Sequence, residues 1–152
     1  MKREIKFRGK STDTGKWIYG FLSFFYTAGR DENGLILTDK AKIYSPENCR
    51  CDDVWAETVG QYIGLRDKNG KEAYIGDIIR FTPKVLNIIG SDYVKTDYEL
   101  LAIIDTDKYN HSILCILHDK GRFKKGEFYH IEGVLNGEIV GNQYDNHELL
   151  ED

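Results

Sequence analysis

Hydrophobic and polar residues alternate along most of this chain, and a period of two marks a strand with one wet face. Over residues 4–8, Ile5 and Phe7 alternate with Glu4, Lys6 and Arg8. Residues 16–26 predict a second strand, with Trp17, Tyr19, Phe21 and Phe25 on one face and Ile18, Leu22 and Phe24 on the other. Asp13-Thr14-Gly15-Lys16 is a turn, so these two strands predict a hairpin. A further turn, Asp31-Glu32-Asn33-Gly34, leads into strand segments 35–38 and 41–44. Ser45-Pro46-Glu47 predicts a short helix, with Ser45 as cap and Pro46 at the first helical position. Strands follow at 59–63 and 72–81, the second broken at Gly76-Asp77, with a loop at 67–71 whose Asn-Gly pair signals a hairpin. Residues 83–97 show no clean period and predict a long loop. Segments 98–104, 112–118, 127–135 and 138–140 are further strands, and Asn146 is placed to cap a terminal helical turn carrying Leu149 and Leu150. Short strands at this spacing, with scarcely a long helix, predict a mainly β (β-rich α+β) fold, a barrel or a sandwich.

Composition excludes disorder: 41% of the 152 residues are hydrophobic and 12% aromatic. The net charge of −4 is unevenly spread. Residues 127–152 hold acids but no Lys or Arg, whereas Lys2, Arg3, Lys6, Arg8, Lys10 and Lys16 make the start basic. Opposite charge at the two ends favours pairing within one chain or between copies. No stretch approaches the roughly 20 apolar residues of a membrane span. The opening MKREIKFRGK lacks the apolar core of a secretory signal, and three cysteines suggest reduced thiols in a cytosol-like compartment.

The candidate chemistry is thin. Cys49-Arg50-Cys51, with His111, Cys115 and His118, supplies zinc-ligand types, but the spacing differs from paired C-x2-C knuckles. On a strand, Cys115 and His118 would point to opposite faces, so no metal is expected and Cys115 reads as a small buried hydrophobe. Asp105-Thr106-Asp107 and Asp67-Lys68-Asn69-Gly70 lack the ligand positions of a calcium loop and read as turns. An acid pair such as Glu72 and Asp77 is expected by chance among 25 acids. Nucleophile elbows, phosphate-binding loops, dinucleotide fingerprints and zinc-protease motifs are missing from the sequence, so neither catalysis nor a cofactor is expected. Lys120, Arg122, Lys124 and Lys125 surround Phe123, a pattern that can hold phosphates while the ring stacks on a base. Flanked by Gly121 and Gly126, the same cluster also reads as a solvated hairpin tip. The aromatic stripe Trp17, Tyr19 and Phe21 reads as a binding face or, more simply, as core.

Several segments together resemble the YopX family of phage and prophage proteins: REIKFRGK (3–10), GKWIYG (15–20), TVGQYIGLRDKNGKEAYIGDII (58–79) and IVGNQYDNHELLE (139–151). The central block is the most specific, and residues 83–125 carry no recognisable motif. Ile63, Ile75 and His147 depart from the residues usual there (Thr, Glu and Pro). The resemblance implies an SH3-like barrel with additional N-terminal strands and a short C-terminal helical turn. The chain would form a single domain, 1–152, with an N-terminal β subdomain near 1–56 packed on a barrel 57–152. It marks Gly60, Gln61, Gly64, Asn69, Gly70, Gly76, Asp77, Gly141 and Asn142 as structural motif residues. It implies a phage or prophage origin and a bacterial cytoplasmic setting, and it carries over no catalytic residue. The expectation is a non-enzymatic protein-interaction or assembly module, homo-oligomeric, partnered by a phage or host protein and not by a membrane. The alternative is a nucleic-acid-binding module using the 120–125 loop.

Overall fold

The alternation at the N-terminus is answered by antiparallel strands β1 (Phe7–Lys10) and β2 (Trp17–Asp31). In the turn between them the Ser11 hydroxyl accepts the N–H groups of Asp13 and Thr14. The computed structural model describes residues 4–87 and 89–151, and contacts divide the chain into units Met1–Gly64 and Leu65–Asp152.

In the N-terminal unit, β3 (Gly34–Ser45), β4 (Arg50–Trp55) and β5 (Gly60–Arg66) join the first two strands in the order β4-β3-β2-β1-β5. Its core is Ala41, Ile43 and Val54, packed by Phe7, Ile18, Leu22, Phe25, Ala56 and Val59. The face assignment expected for β2 needs correction past Leu22. The register passes from Leu22↔Ile43 to Phe24↔Lys42, so Ser23 is an extra residue. A bulge of this kind shifts the phase by one, sending Phe25 to the core with Ile18 and Leu22 and Phe24 to the outer face. The helix expected at 45–47 does not form. Ser45 instead ends β3, its hydroxyl donating to the Tyr19 carbonyl at 2.9 Å, and the chain turns directly into β4. The alternation does not predict β4, because Asp52 and Asp53 precede its one buried residue, Val54.

In the C-terminal unit the elements are β6 (Glu72–Tyr74), β7 (Asp77–Phe81), β8 (Lys84–Leu86), β9 (Tyr93–Lys95), β10 (Leu100–Thr106), β11 (Ser112–Ile116), β12 (Phe128–Tyr129), α1 (Gly133–Asn136) and β13 (Glu138–Asn142). A five-stranded sheet runs β12-β11-β10-β7-β13, and its buried side chains include Ile78, Ile79, Phe81, Ala102, Ile104, Leu114 and Ile116. Residues expected as one long loop contain the β8–β9 hairpin. Both strands are largely exposed, so no buried face has left a period in the sequence. The strand expected over 127–135 is only two residues long. The chain then turns into α1, where a Cβ on Gly133 would sit 2.8 Å from Leu114 Cδ1 and 3.1 Å from Phe81 Cδ2.

The mainly β class is as expected, but the sheets are open rather than closed into an SH3-like barrel. A two-residue β12, followed by a helical turn with buried Val134, gives the sheet an edge where closure would need a full strand. The terminal helical turn does form, at His147–Leu149. Asn146 does not cap it; its Oδ1 accepts the Asn142 N–H at 3.2 Å instead. No helix among the described residues is long and apolar enough to cross a membrane.

Candidate interaction surface of the N-terminal unit

Because Ile18, Leu22 and Phe25 point to the core, Trp17, Tyr19, Phe21, Phe24 and Tyr26 share the outer face of β2. The two ends of this row are engaged by the chain's own cations. The Arg8 guanidinium lies 4.5 Å from the Trp17 ring centroid and Lys10 Nζ 5.8 Å from it. At the other end the Tyr26 hydroxyl donates to Asp53 Oδ1 at 2.9 Å, and Lys42 Nζ stands 3.0 Å from the same oxygen. Tyr26 and Asp53 hold Lys42 protonated beyond the ordinary lysine range, while Lys42 and Tyr26 hold Asp53 below the usual carboxylate range. Between these ends Tyr19, Phe21 and Phe24 remain 48%, 50% and 48% exposed.

A cleft of about 630 Å³ opens beside this row. Ile5, Tyr19, Phe21 and Pro46 make its apolar lining, and Glu4, Lys6, Gly20 and Glu47 complete it, with Lys6 Nζ 3.1 Å from Glu4 Oε1. The lining carries no His, Cys or Ser, and its one cation is paired with an acid. Such a surface can bind apolar side chains.

The second exposed feature is the distal part of the β2–β3 hairpin. Strand β1 pairs with β2 only as far as Gly20, and β4 pairs with β3 only from Lys40. Beyond these points the register continues Thr27↔Leu37, Gly29↔Ile36, Arg30↔Leu35 and Asp31↔Gly34, with no third strand among the described residues. Leu35, Ile36 and Leu37 are therefore 61%, 42% and 58% exposed. Sequence reasoning read this segment as an ordinary strand. The signal it passed over is three consecutive large apolar residues, which put apolar groups on both faces of a ribbon with no core to receive them.

The basic cluster lies elsewhere, on a tight turn of the C-terminal unit. Lys120, Arg122, Lys124 and Lys125 are exposed, whereas Phe123 is half-buried with its ring 5.9 Å from that of Tyr129. Acids share the turn: Lys124 Nζ is 3.4 Å from Asp119 Oδ2, and Glu127 Oε2 accepts the Lys124 N–H. The candidate metal ligands do not converge. His118 Nε2 donates to the Leu149 carbonyl, His111 Nδ1 lies 3.1 Å from Asp107 Oδ2, and no group of three His, Cys, Asp or Glu among the described residues is placed to hold an ion. Asp107 organises the β10–β11 turn, accepting the N–H groups of Tyr109 and His111. Cys49 and Cys51 are exposed; Cys115 is half-buried, and burial, with the nearby Asp105 charge, pushes its thiol pKa up.

The family profile described as YopX protein matches residues 6–151. The chain belongs to the YopX family. The crystal structure of protein EF1440 from Enterococcus faecalis is similar over 99% of this chain and 100% of that one, at 20% identity and a TM-score of 0.48. No curated protein matches the chain significantly. The residues that the resemblance marks as structural sit at turns and in paired strands. Gly60 and Gln61 stand opposite Arg8 and Phe7 in the β1–β5 register, and Gly64 lies further along β5. Asn69 and Gly70 complete the turn before β6, where the Asn69 N–H donates to Asp67 Oδ1. Gly76 has φ +92°, and its N–H donates to the Ile104 carbonyl at 2.8 Å. Asp77, 1% exposed, accepts the Tyr74 N–H. Gly141 follows the irregularity in β13, and Asn142 Oδ1 accepts the N–H groups of Tyr144 and Asp145 at 3.0 Å.

Proposed function

We propose that this YopX-family chain is a non-enzymatic phage or prophage accessory protein, an interaction and assembly module that associates with copies of itself in the bacterial cytoplasm. The observation that carries the reading is the run of large apolar side chains left at the surface of the N-terminal unit: Tyr19, Phe21 and Phe24, then Leu35, Ile36 and Leu37. Clusters of exposed apolar side chains mark an interface more often than they mark a solvated face. Light scattering across a micromolar concentration series tests it. A mass rising to a multiple of 17.5 kDa supports the reading, and a strict monomer throughout refutes it.

The nucleic-acid reading ranks second. Four exposed cations on the 120–125 turn favour phosphate contact. Phe123 packs towards Tyr129, and Asp119 and Glu127 offset part of the positive charge, so stacking and charge are both weaker than the sequence implies.

A further inference from the structure

We propose that the distal β2–β3 arm pairs edge to edge with the same arm of a second copy, antiparallel and centred on Ile36. This rests on the assembly reading above and supplies its geometry. Along one edge of residues 34–39 no neighbouring strand is present among the described residues, since β4 begins pairing at Lys40. A two-stranded ribbon is marginal in water, and natural edges are guarded with Lys, Pro or inward charge. Gly34-Leu35-Ile36-Leu37-Thr38 carries none of these.

Symmetry selects the occupant and the register. A two-fold axis perpendicular to the ribbon keeps each face on its own side, so the centre can move only from one residue to the next. Centred on Ile36, the pairing sets Leu35 against Leu37 of the second copy, Ile36 against Ile36 and Gly34 against Thr38. The ladder stops short of Lys40, whose place on this edge is taken by Trp55 of β4. Leu35 and Leu37 lie on the same face of β3, so two copies place four leucines together there. Centred on Leu35, only residues 34–36 of each copy would pair, because the chain leaves this edge at Gly34, across from which Asp31 stands on β2; centred on Leu37, the pairing would oppose Leu35 to Asp39. A ladder cut to three residues and a leucine facing a carboxylate disfavour those two registers. The arm is thus self-complementary in one register, which a strand of an unrelated protein would match only by coincidence.

The test uses the full chain with Cys49→Ser and Cys51→Ser, which removes the two exposed thiols. In that background Ile36→Cys should form a reducible covalent dimer on mild oxidation. Residues directly opposite in an antiparallel pair have Cα atoms about 4.5–5.5 Å apart, within disulfide reach. Ala28→Cys, exposed on β2 of the same arm, should not cross-link. Separately, Leu37→Lys should weaken self-association at least about tenfold without altering the far-ultraviolet spectrum, because the side chain is largely exposed. A dimer whose affinity ignores Leu37→Lys and whose Ile36→Cys form stays uncross-linked overturns the arm pairing and leaves the assembly reading standing. Cross-linking of Ile36→Cys and Ala28→Cys alike also overturns it, as random collision. A wild-type monomer at every concentration overturns both.

Discussion

Asp67 is buried to 6% exposure at the turn after β5, and its carboxylate is the most heavily used acceptor there. Oδ1 takes the N–H groups of Asn69 and Lys71, and Oδ2 that of Ile139 in β13, all at 2.9 Å. Asp67→Ala strips all three. The Asn69 and Lys71 amides lie in an exposed turn and recover water, but the Ile139 amide is interior and does not. A stranded interior donor costs about 1–3 kcal/mol, and losing the two charge-assisted turn bonds adds to it, so about 3 kcal/mol is expected. With a urea slope near ~2 kcal/mol/M, the denaturation midpoint should fall by about 1.5 M. Asp67→Asn keeps one carbonyl oxygen and should lose less. The pH dependence is a second reading of the same bonds. Burial alone would raise the pKa of Asp67; the Ile139, Lys71 and Asn69 amides, with the Lys71 charge, outweigh it and hold it below the usual value. Its stabilisation is therefore complete above the unfolded carboxylate pKa of about 3.9 and is lost as pH falls through the lower folded value. The gap between wild type and Asp67→Asn should narrow on that acid flank. A midpoint shift in Asp67→Ala under about 0.3 M, or a gap unchanged into acid, would refute this account.

Gly76→Ala places a side chain at φ +92° with its Cβ 3.0 Å from Gln143 Nε2, so a loss of about 1–3 kcal/mol is expected in thermal unfolding; an unchanged midpoint would show that the turn relaxes freely. Thiol titration of the native protein should show two fast-reacting groups, Cys49 and Cys51, and a slow third, Cys115, which becomes fast on unfolding; three equal rates contradict the burial of Cys115. Fluorescence anisotropy with single-stranded DNA, duplex DNA and RNA should give no binding that persists at near-physiological salt. Persistent binding, lost on Lys120→Glu with Lys124→Glu, would reverse the ranking of the two functional readings.

What the sequence made legible follows from which residues feel a single buried face. The turns at 13–16, 31–34 and 67–71 and the break at Gly76-Asp77 are local patterns, and each appears close to where the sequence puts it, whereas the strand expected over 4–8 runs over Phe7–Lys10. The Ser23 bulge is not local: nothing in Leu22-Ser23-Phe24-Phe25 announces that the phase slips, because the slip is settled by pairing with Ile43 and Lys42 on another strand. Ser45 satisfied a helix-cap pattern, but its hydroxyl found the Tyr19 carbonyl, a partner 26 residues away. The β8–β9 hairpin lacks a buried face, so hydrophobic period had nothing to record. For the candidate surface, the aromatic stripe on β2 was visible as a stripe, but its exposure depends on there being no covering layer, which is a tertiary fact.

The residues that the family resemblance marks as structural and the candidate interface are different sets. Gly60, Gln61, Gly64, Asn69, Gly70, Gly76, Asp77, Gly141 and Asn142 hold turns, a register and a bulge, and none lies within 21–40, where the arm is. Their roles in this structure are backbone roles, and a fold by itself names no chemistry. A turn glycine constrains φ and leaves every exposed side chain open to choice. The motif therefore accounts for how the sheets are held, as Asp67 does by reaching from the turn at 67–71 to the Ile139 amide. On the proposed reading, partner choice resides in side chains outside these positions, among them the exposed Leu35, Ile36 and Leu37 with Tyr19, Phe21 and Phe24. Substituting the arm should change association while sparing stability, and substituting the motif turns should do the reverse.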